Sequence, residues 1–175
     1  MRHLVILGAG TAGTVMANRL ARSLRRDIAA GTTRITIVDQ DPVHVYQPGL
    51  LFIPFGVYTV DQAVRGRAAQ LPRTVRYVQS EIERLDPATD TVTLANGEVL
   101  SYDLCIIASG TRVVPEDTDG LTGAGWGEKM HEFYTLAGAE RLAKALREFE
   151  GGRPVLNVVE LPLKCSVAPL ALAFL

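Results

Sequence analysis

Apolar residues recur along this chain with two different periods, and the change of period marks the first elements. His3–Leu7 is a short apolar run rich in branched side chains, the pattern of a strand buried on both faces. Beyond Gly8-Ala9-Gly10-Thr11-Ala12-Gly13, Val15, Met16, Leu20, Leu24 and Ile28 recur at helical spacing. One helix is therefore predicted from just after Gly10 to about Ala29, stopped by Gly31. Arg34–Asp39 is a second apolar strand, so the opening reads as a βαβ unit with parallel neighbouring strands.

Asp41–Gly56 is apolar but interrupted by Pro42, Pro48, Gly49 and Pro54, which rules out a long regular element. The pattern then predicts a short helix over Asp61–Leu71 and strands at Val75–Gln79, Glu81–Asp86 and Thr91–Leu94. Asn96-Gly97 signals a two-residue hairpin turn closing onto Glu98–Leu100. Leu104–Ala108 is a further buried strand, ending at Ser109-Gly110. Glu116–Trp126, rich in Gly, Asp and Thr, reads as a linker. Leu136–Phe149 is an amphipathic helix whose stripe runs through Leu136, Ala139, Leu142, Ala143, Leu146 and Phe149. Gly151-Gly152 stops it, and Pro154–Glu160 is expected to be a new buried strand.

The 175 residues suffice for one domain with a sizeable core. A net charge of −1 gives no pull toward nucleic acid or anionic membrane, and Arg22, Arg25 and Arg26 read as a solvated helix face. No secretory h-region and no membrane-length apolar run are present, so a cytoplasmic protein is expected. Cys105 and Cys165 are too few for a disulfide framework, and no metal site is expected. Oligomeric state leaves no mark on the sequence.

The glycine run carries the first chemistry. In G-x-G-x-x-G between a strand and a helix, Gly8 permits the tight turn, Gly10 lets a pyrophosphate approach the backbone, and Gly13 lets helix and strand pack closely. Thr11 and Ala12 then open the helix whose free N–H groups face the phosphates. Asp39, at the end of the second strand, stands where an acid accepts hydrogen bonds from a ribose. No arginine replaces it, which argues against a 2′-phosphate. The run by itself leaves FAD and NAD both open.

Leu100–Gly110 resembles the Y-D-x-L-x-x-A-T-G element of flavoproteins with two dinucleotide-binding domains, Ser109 standing for the usual Thr. The resemblance implies FAD, with Ala108, Ser109 and Gly110 beside it. The redox C-x4-C of disulfide reductases is missing after the second strand, and His44–Leu51 stands there instead. Its Y-Q-P-G-L stretch resembles sulfide:quinone oxidoreductases. Glu160–Leu170 resembles the P-x-K-C-x-x-A-P element of the same family. By this resemblance Cys165 is the flavin-side member of a redox cysteine pair, sulfide is the reductant and a quinone the acceptor. Gln47 and Pro48 would lie near the cofactor, and Ile82 would meet its adenine end. No glycine follows Gly152, so the second nucleotide site lacks its phosphate turn and NADH is disfavoured.

From the residues themselves, Cys105 is an inert thiol within an apolar strand. Lys164 and a helix opening near Pro169 both favour a thiolate at Cys165. His44 and His131 read as incidental loop histidines. The fold expected is α/β: a Rossmann-like FAD-binding domain with a parallel sheet and an inserted β-meander (1–115), a linker and amphipathic helix (116–150), and the start of a second Rossmann-like domain (151–175). Compared with the family, the partner cysteine, a second FAD-binding segment and C-terminal membrane-docking helices are missing, so a truncated chain is expected. The full-length form would sit peripherally on a membrane. Two alternatives stay open: a non-catalytic nucleotide-binding fragment, and the flavin subunit of a flavocytochrome c sulfide dehydrogenase.

Overall fold

The computed structural model describes residues 1–161 and 163–175, which divide into two compact units, 1–44 with 65–111 and 45–64 with 112–175.

In the first unit, β1 (Arg2–Leu7) lies inside a four-stranded sheet, between β2 (Thr33–Asp39) and β9 (Leu104–Ile107). The order is β5-β2-β1-β9, with β5 (Val75–Gln79) outside β2 and every pairing parallel. The expected co-sheet strands at 4–7, 35–38 and 104–107 are therefore present. Leu4 and Ile6 face one side with Ile35, Ile37 and Val75, while Val5 and Leu7 face the other with Val38 and Val78. This two-sided burial is why the central strands read as unbroken apolar runs.

The first face is covered by α1 (Thr11–Ser23) and α2 (Arg25–Ala29), through Ala17, Ala21, Leu20, Leu24 and Ile28. The single helix expected to Ala29 is thus two. Leu24 leaves helical geometry at φ −100°, ψ 18°, and the apolar stripe continues across the break. Arg22, Arg25 and Arg26 are exposed, as a solvated face requires.

The second face is covered by the antiparallel meander β6 (Ile82–Asp86), β7 (Thr91–Leu94) and β8 (Val99–Ser101), which contributes Val92, Leu94 and Leu100. Its second turn differs from the two-residue hairpin expected. Leu94 N–H donates to the Glu98 carbonyl and Gly97 N–H to the Leu94 carbonyl, enclosing Ala95–Gly97 with Gly97 at φ +84°. This is the three-residue loop that ends in a left-handed glycine.

Two other expectations fail for physical reasons. The helix at Asp61–Leu71 shrinks to α3 (Val60–Ala63), opened by a Thr59/Gln62 capping box. The chain then extends into β4 (Val64–Gly66), which pairs with β3 (Val43–Val45), before a 3-10 turn at Ala68–Gln70. Strand pairing overrides helical spacing there. Pro154–Glu160 forms no strand: Val155 is 76% exposed, and the segment has no hydrogen-bonded neighbour strand among the described residues. An apolar run becomes a strand only where a sheet supplies partners on its edges and cover on its faces.

The second unit packs Leu50, Ile53 and Ala63 against Ala139 and Ala143 of α4 (Leu136–Arg147). That helix ends two residues earlier than expected, and Leu146 and Phe149 of its expected stripe are exposed. Its start is fixed by Thr135, whose hydroxyl accepts from Gly138 N–H at 2.9 Å. A short helix, α5 (Ala168–Phe174), closes the described chain. Among the described residues no helix is long and apolar enough to cross a membrane.

The N-terminal end of the sheet holds a buried histidine. His3 Nδ1–H donates to the Ser101 carbonyl at 2.5 Å, and Nε2 accepts from the Thr36 hydroxyl at 2.8 Å. Burial pushes its pKa below the ordinary 6.5, the Arg34 guanidinium lowers it further, and the Ser101 bond and Asp103 partly offset both. The unfolded chain therefore takes up a proton before the folded one does, and stability falls as pH drops below 6.5. Urea denaturation at pH 7.5 and 5.5 is expected to show this loss, and a smaller loss in His3→Gln. An equal loss in both proteins would assign it to other groups.

Candidate functional site

β1 delivers the chain to the glycine turn, and the packing around each glycine differs. Gly8 sits at φ +95°, and a Cβ there would come within 2.4 Å of the Ala108 carbonyl oxygen and 2.7 Å of Ser109 Cα. A Cβ on Gly13 would lie 1.9 Å from the Gly8 carbonyl oxygen. Both glycines are thus demanded by the fold. Gly10 is different: its φ is −68°, and a Cβ there meets nothing within 4 Å. Nothing inside the chain requires glycine at this position, whereas a ligand lying against the backbone does.

The electrostatics agree with an anionic ligand. Gly10 is the N-cap of α1, no side chain caps that end, and the first turn carries no acidic residue. Thr11, Ala12 and Gly13 thus form an uncapped N-terminal turn on a helix of 13 residues. Asp39 lies alongside. Its Oδ2 accepts from Ala9 N–H at 2.6 Å and its Oδ1 from Asp41 N–H at 3.0 Å. Oδ2 is also 3.3 Å from the guanidinium of Arg67. Sequence reading missed Arg67; its charge lies in a segment read as a short helix, and nothing local marks it as buried.

The strand that closes the turn comes from the far end of the unit. Ala108 N–H donates to the Leu7 carbonyl at 2.7 Å, which holds Ala108-Ser109-Gly110 beside Gly8. Asp103 anchors the other end of β9, its Oδ2 accepting from His3 N–H at 2.6 Å. The Tyr-Asp element is therefore also a structural tie between β1 and β9. Ser109 and Gly110 are exposed, while Ile82 is half-buried against the meander core. Cys105 is half-buried rather than fully enclosed, and burial pushes its thiol pKa up, which suits an inert residue.

Gln47, Pro48 and Cys165 belong to the second unit. Gln47 and Pro48 open a 3-10 turn, Gln47–Leu51, and both are exposed. α5 packs on that turn, so the segment carrying Cys165 meets the segment carrying Gln47 and Pro48. Cys165 itself is exposed at φ +62°, a left-handed conformation unusual for a side chain other than glycine, Asn or Asp. Its carbonyl accepts from Ala168 N–H at 3.1 Å, forming the bend that leads into α5. With seven residues and its N-cap at Val167, α5 is too short and too far along to account for a thiolate by its dipole. Burial, with a smaller effect of Cys165, raises the pKa of Tyr134, which stays a neutral phenol. His131 Nε2 lies 3.0 Å from the Glu128 carbonyl, in the part of the chain read as a loop.

A family model described as pyridine nucleotide-disulphide oxidoreductase matches residues 2–159. The chain belongs to that family. Its cofactor is FAD, and the open face of Gly10 with the uncapped turn of α1 fits it. The mouse mitochondrial sulfide:quinone oxidoreductase is 27% identical over 173 residues, 99% of this chain and 37% of that protein. An NADH dehydrogenase-like protein of Mycobacterium tuberculosis is 29% identical over 165 residues, 87% of this chain and 36% of its own length. The chain thus spans little more than a third of these relatives. Among solved structures, the sulfide:quinone oxidoreductase of Aquifex aeolicus aligns with a TM-score of 0.67 at 22% identity. The alignment covers 85% of this chain and 32% of that one, and it shows the shared fold. An NAD-dependent persulfide reductase from A. fulgidus aligns at 0.62 and 25% identity, over 83% and 27%.

The three glycines are expected to separate by substitution. Gly8→Ala and Gly13→Ala should each lower stability by about 1–3 kcal/mol or more, since backbone must move. Gly10→Val should cost about 1 kcal/mol or less, as an N-cap change, yet weaken FAD binding at least roughly tenfold. Urea titration and flavin fluorescence quenching measure the two effects. Undiminished FAD binding by Gly10→Val would exclude the open face as the phosphate site.

Proposed function

We propose that the chain is the FAD-binding front part of an enzyme that oxidises sulfide and passes the electrons to a quinone, with Cys165 as the flavin-side thiol. The observation that carries the reading is the packing of α5 on Gln47–Leu51. Two stretches distant in sequence, each resembling sulfide:quinone oxidoreductases, share one neighbourhood. In this reading 1–115 is the first segment of the FAD domain, 116–150 a linker with an amphipathic helix, and 151–175 the opening of a second dinucleotide-binding domain. Membrane contact and the quinone belong to parts of the enzyme beyond these residues.

The residues divide the work by position. Backbone N–H groups at Gly10–Gly13 receive the pyrophosphate, and Asp39 accepts from the adenosine ribose. By the resemblance, Ile82 would meet the adenine end through backbone atoms, Ala108-Ser109-Gly110 would lie beside the flavin, and Gln47 and Pro48 near the cofactor. FAD, once bound, supplies a two-electron acceptor. The exposed thiol of Cys165, held on a bend, is open to a small anion such as hydrosulfide, and as a thiolate it is the nucleophile that sulfur exchange needs.

The test uses the full-length protein that carries these residues. Under anaerobic conditions and without quinone, sulfide is expected to bleach the flavin absorbance, whereas NADH is not. Cys165→Ser should abolish the bleaching, because a serine hydroxyl is neither a thiolate nor able to form a sulfur bridge. Cys105→Ser should retain it, with some loss of stability from a hydroxyl placed in an apolar strand. Bleaching at the wild-type rate by Cys165→Ser would reject the mechanism. Bleaching by NADH in place of sulfide would move the protein to the NADH-oxidising relatives.

A further inference from the structure

Arg67 is 5% exposed, and its guanidinium is committed to one small neighbourhood. Nε donates to the Asp41 carbonyl at 2.7 Å and Nη2 to the Val43 carbonyl at 2.6 Å. Nη1 donates to the Ala9 carbonyl, inside the glycine turn, and lies 3.3 Å from Asp39 Oδ2. Its own N–H donates to the Pro42 carbonyl at 2.9 Å. One side chain therefore ties together the glycine turn, the acid that ends β2 and the loop that follows it.

The acceptor count on Asp39 gives this tie a consequence. A carboxylate offers about four lone-pair sites on its two oxygens. Oδ2 is engaged by Ala9 N–H and faced by the guanidinium, while Oδ1 accepts from Asp41 N–H. One acceptor direction remains, on Oδ1. The terminal torsion of an aspartate is soft, so by itself it would not hold that direction fixed. We propose that Arg67 is a positioning residue for the nucleotide: together with the Ala9 and Asp41 N–H groups, it fixes the rotation of Asp39 and keeps one acceptor direction of Oδ1 open to one hydroxyl of the adenosine ribose. The proposal rests on FAD occupying the glycine turn.

Two corollaries follow from the chemistry of the group. Lysine cannot substitute, because a compact ammonium cannot address three carbonyls and a carboxylate in one plane. A ribose phosphate is also disfavoured. It would meet the Asp39 carboxylate, and the guanidinium beside it is already engaged. The clamp therefore selects an unphosphorylated ribose.

The experiment compares ADP with 2′,3′-dideoxy-ADP, which differ only in the ribose hydroxyls, by calorimetric titration of the 175-residue chain. Wild type is expected to prefer ADP by about tenfold, one hydrogen bond to a charged acceptor. Arg67→Lys and Arg67→Met should bring the ratio close to one, whatever each does to the affinity for the dideoxy nucleotide through the glycine turn. A merely structural arginine would lower both affinities together and leave the ratio intact, which overturns the proposal. Asp39→Ala provides a test that leaves the arginine in place. Arg67 keeps its three carbonyl partners there, but the carboxylate acceptor is gone, and the hydroxyl preference should vanish. A preserved preference in Asp39→Ala overturns the proposal even if neither arginine variant folds. Wild type that binds neither ADP nor FAD would reject the glycine-turn site itself. Wild type that binds ADP without preferring it over the dideoxy form would reject the clamp alone.

Discussion

Everything in the first unit is arranged around the exit of β1. The strand must end, turn and enter α1 while β9 runs alongside it, with the Ala108 carbonyl 2.4 Å from where a Gly8 side chain would begin. A left-handed residue without a Cβ is the solution to that crowding. The turn in turn brings the α1 terminus over the sheet, and Gly13 lets the first helical turn rest directly on the Gly8 carbonyl. Had either position carried a side chain, helix and sheet would part, and the uncapped N–H groups would no longer lie beside Asp39.

Two polar clusters hold the ends of this apolar sheet. At the N-terminal end, Asp103 receives the His3 N–H while the His3 ring bridges Ser101 and Thr36. At the C-terminal end, Asp39 and Arg67 gather Ala9, Asp41 and Val43. In each cluster a charged group lies next to partly or fully buried strands, and each is supplied with hydrogen-bond partners, as the low polarity of such a place requires. The first cluster secures the sheet. The second stands beside the glycine turn, so the same bonds that satisfy a buried charge also hold Ala9 of that turn.

The second unit depends on different physics. Its core is small, built from Leu50, Ile53 and Ala63 against two alanines of α4. The small residues let the 3-10 turn at Gln47–Leu51 and the helix approach closely. α5 rests on the same turn, which is how the Cys165 bend comes to the Gln47 segment. Much apolar surface in this unit stays exposed, including Val155, Leu161 and Phe174.

Much of the first unit was legible in the sequence because local rules and tertiary structure agree there. Apolar runs at 3–7 and 34–39 are covered on both faces, and glycines between a strand and a helix have few other uses; 104–108, also expected to be buried, pairs with β1 as the last strand of the sheet and leaves Leu104 and Ile107 exposed. The family resemblance at Tyr102–Gly110 pointed to FAD for the same reason: short, sterically demanding segments leave few residue choices. Legibility failed where a non-local partner decides. Asp61–Leu71 has helical spacing, yet pairing of Val64–Gly66 with Val43–Val45 draws it into a strand. Pro154–Glu160 has the composition of a strand but, among the described residues, no strand beside it. Arg67 carries no local signal in the sequence and lies buried beside the glycine turn. The sequence by itself determined the period of each element, the glycine turn and the acid that follows it, because these depend on neighbours a few residues away. Only the tertiary structure decided which strand lies beside which, which glycine faces open space and which arginine holds Asp39, because those depend on atoms that the chain brings together across tens of residues.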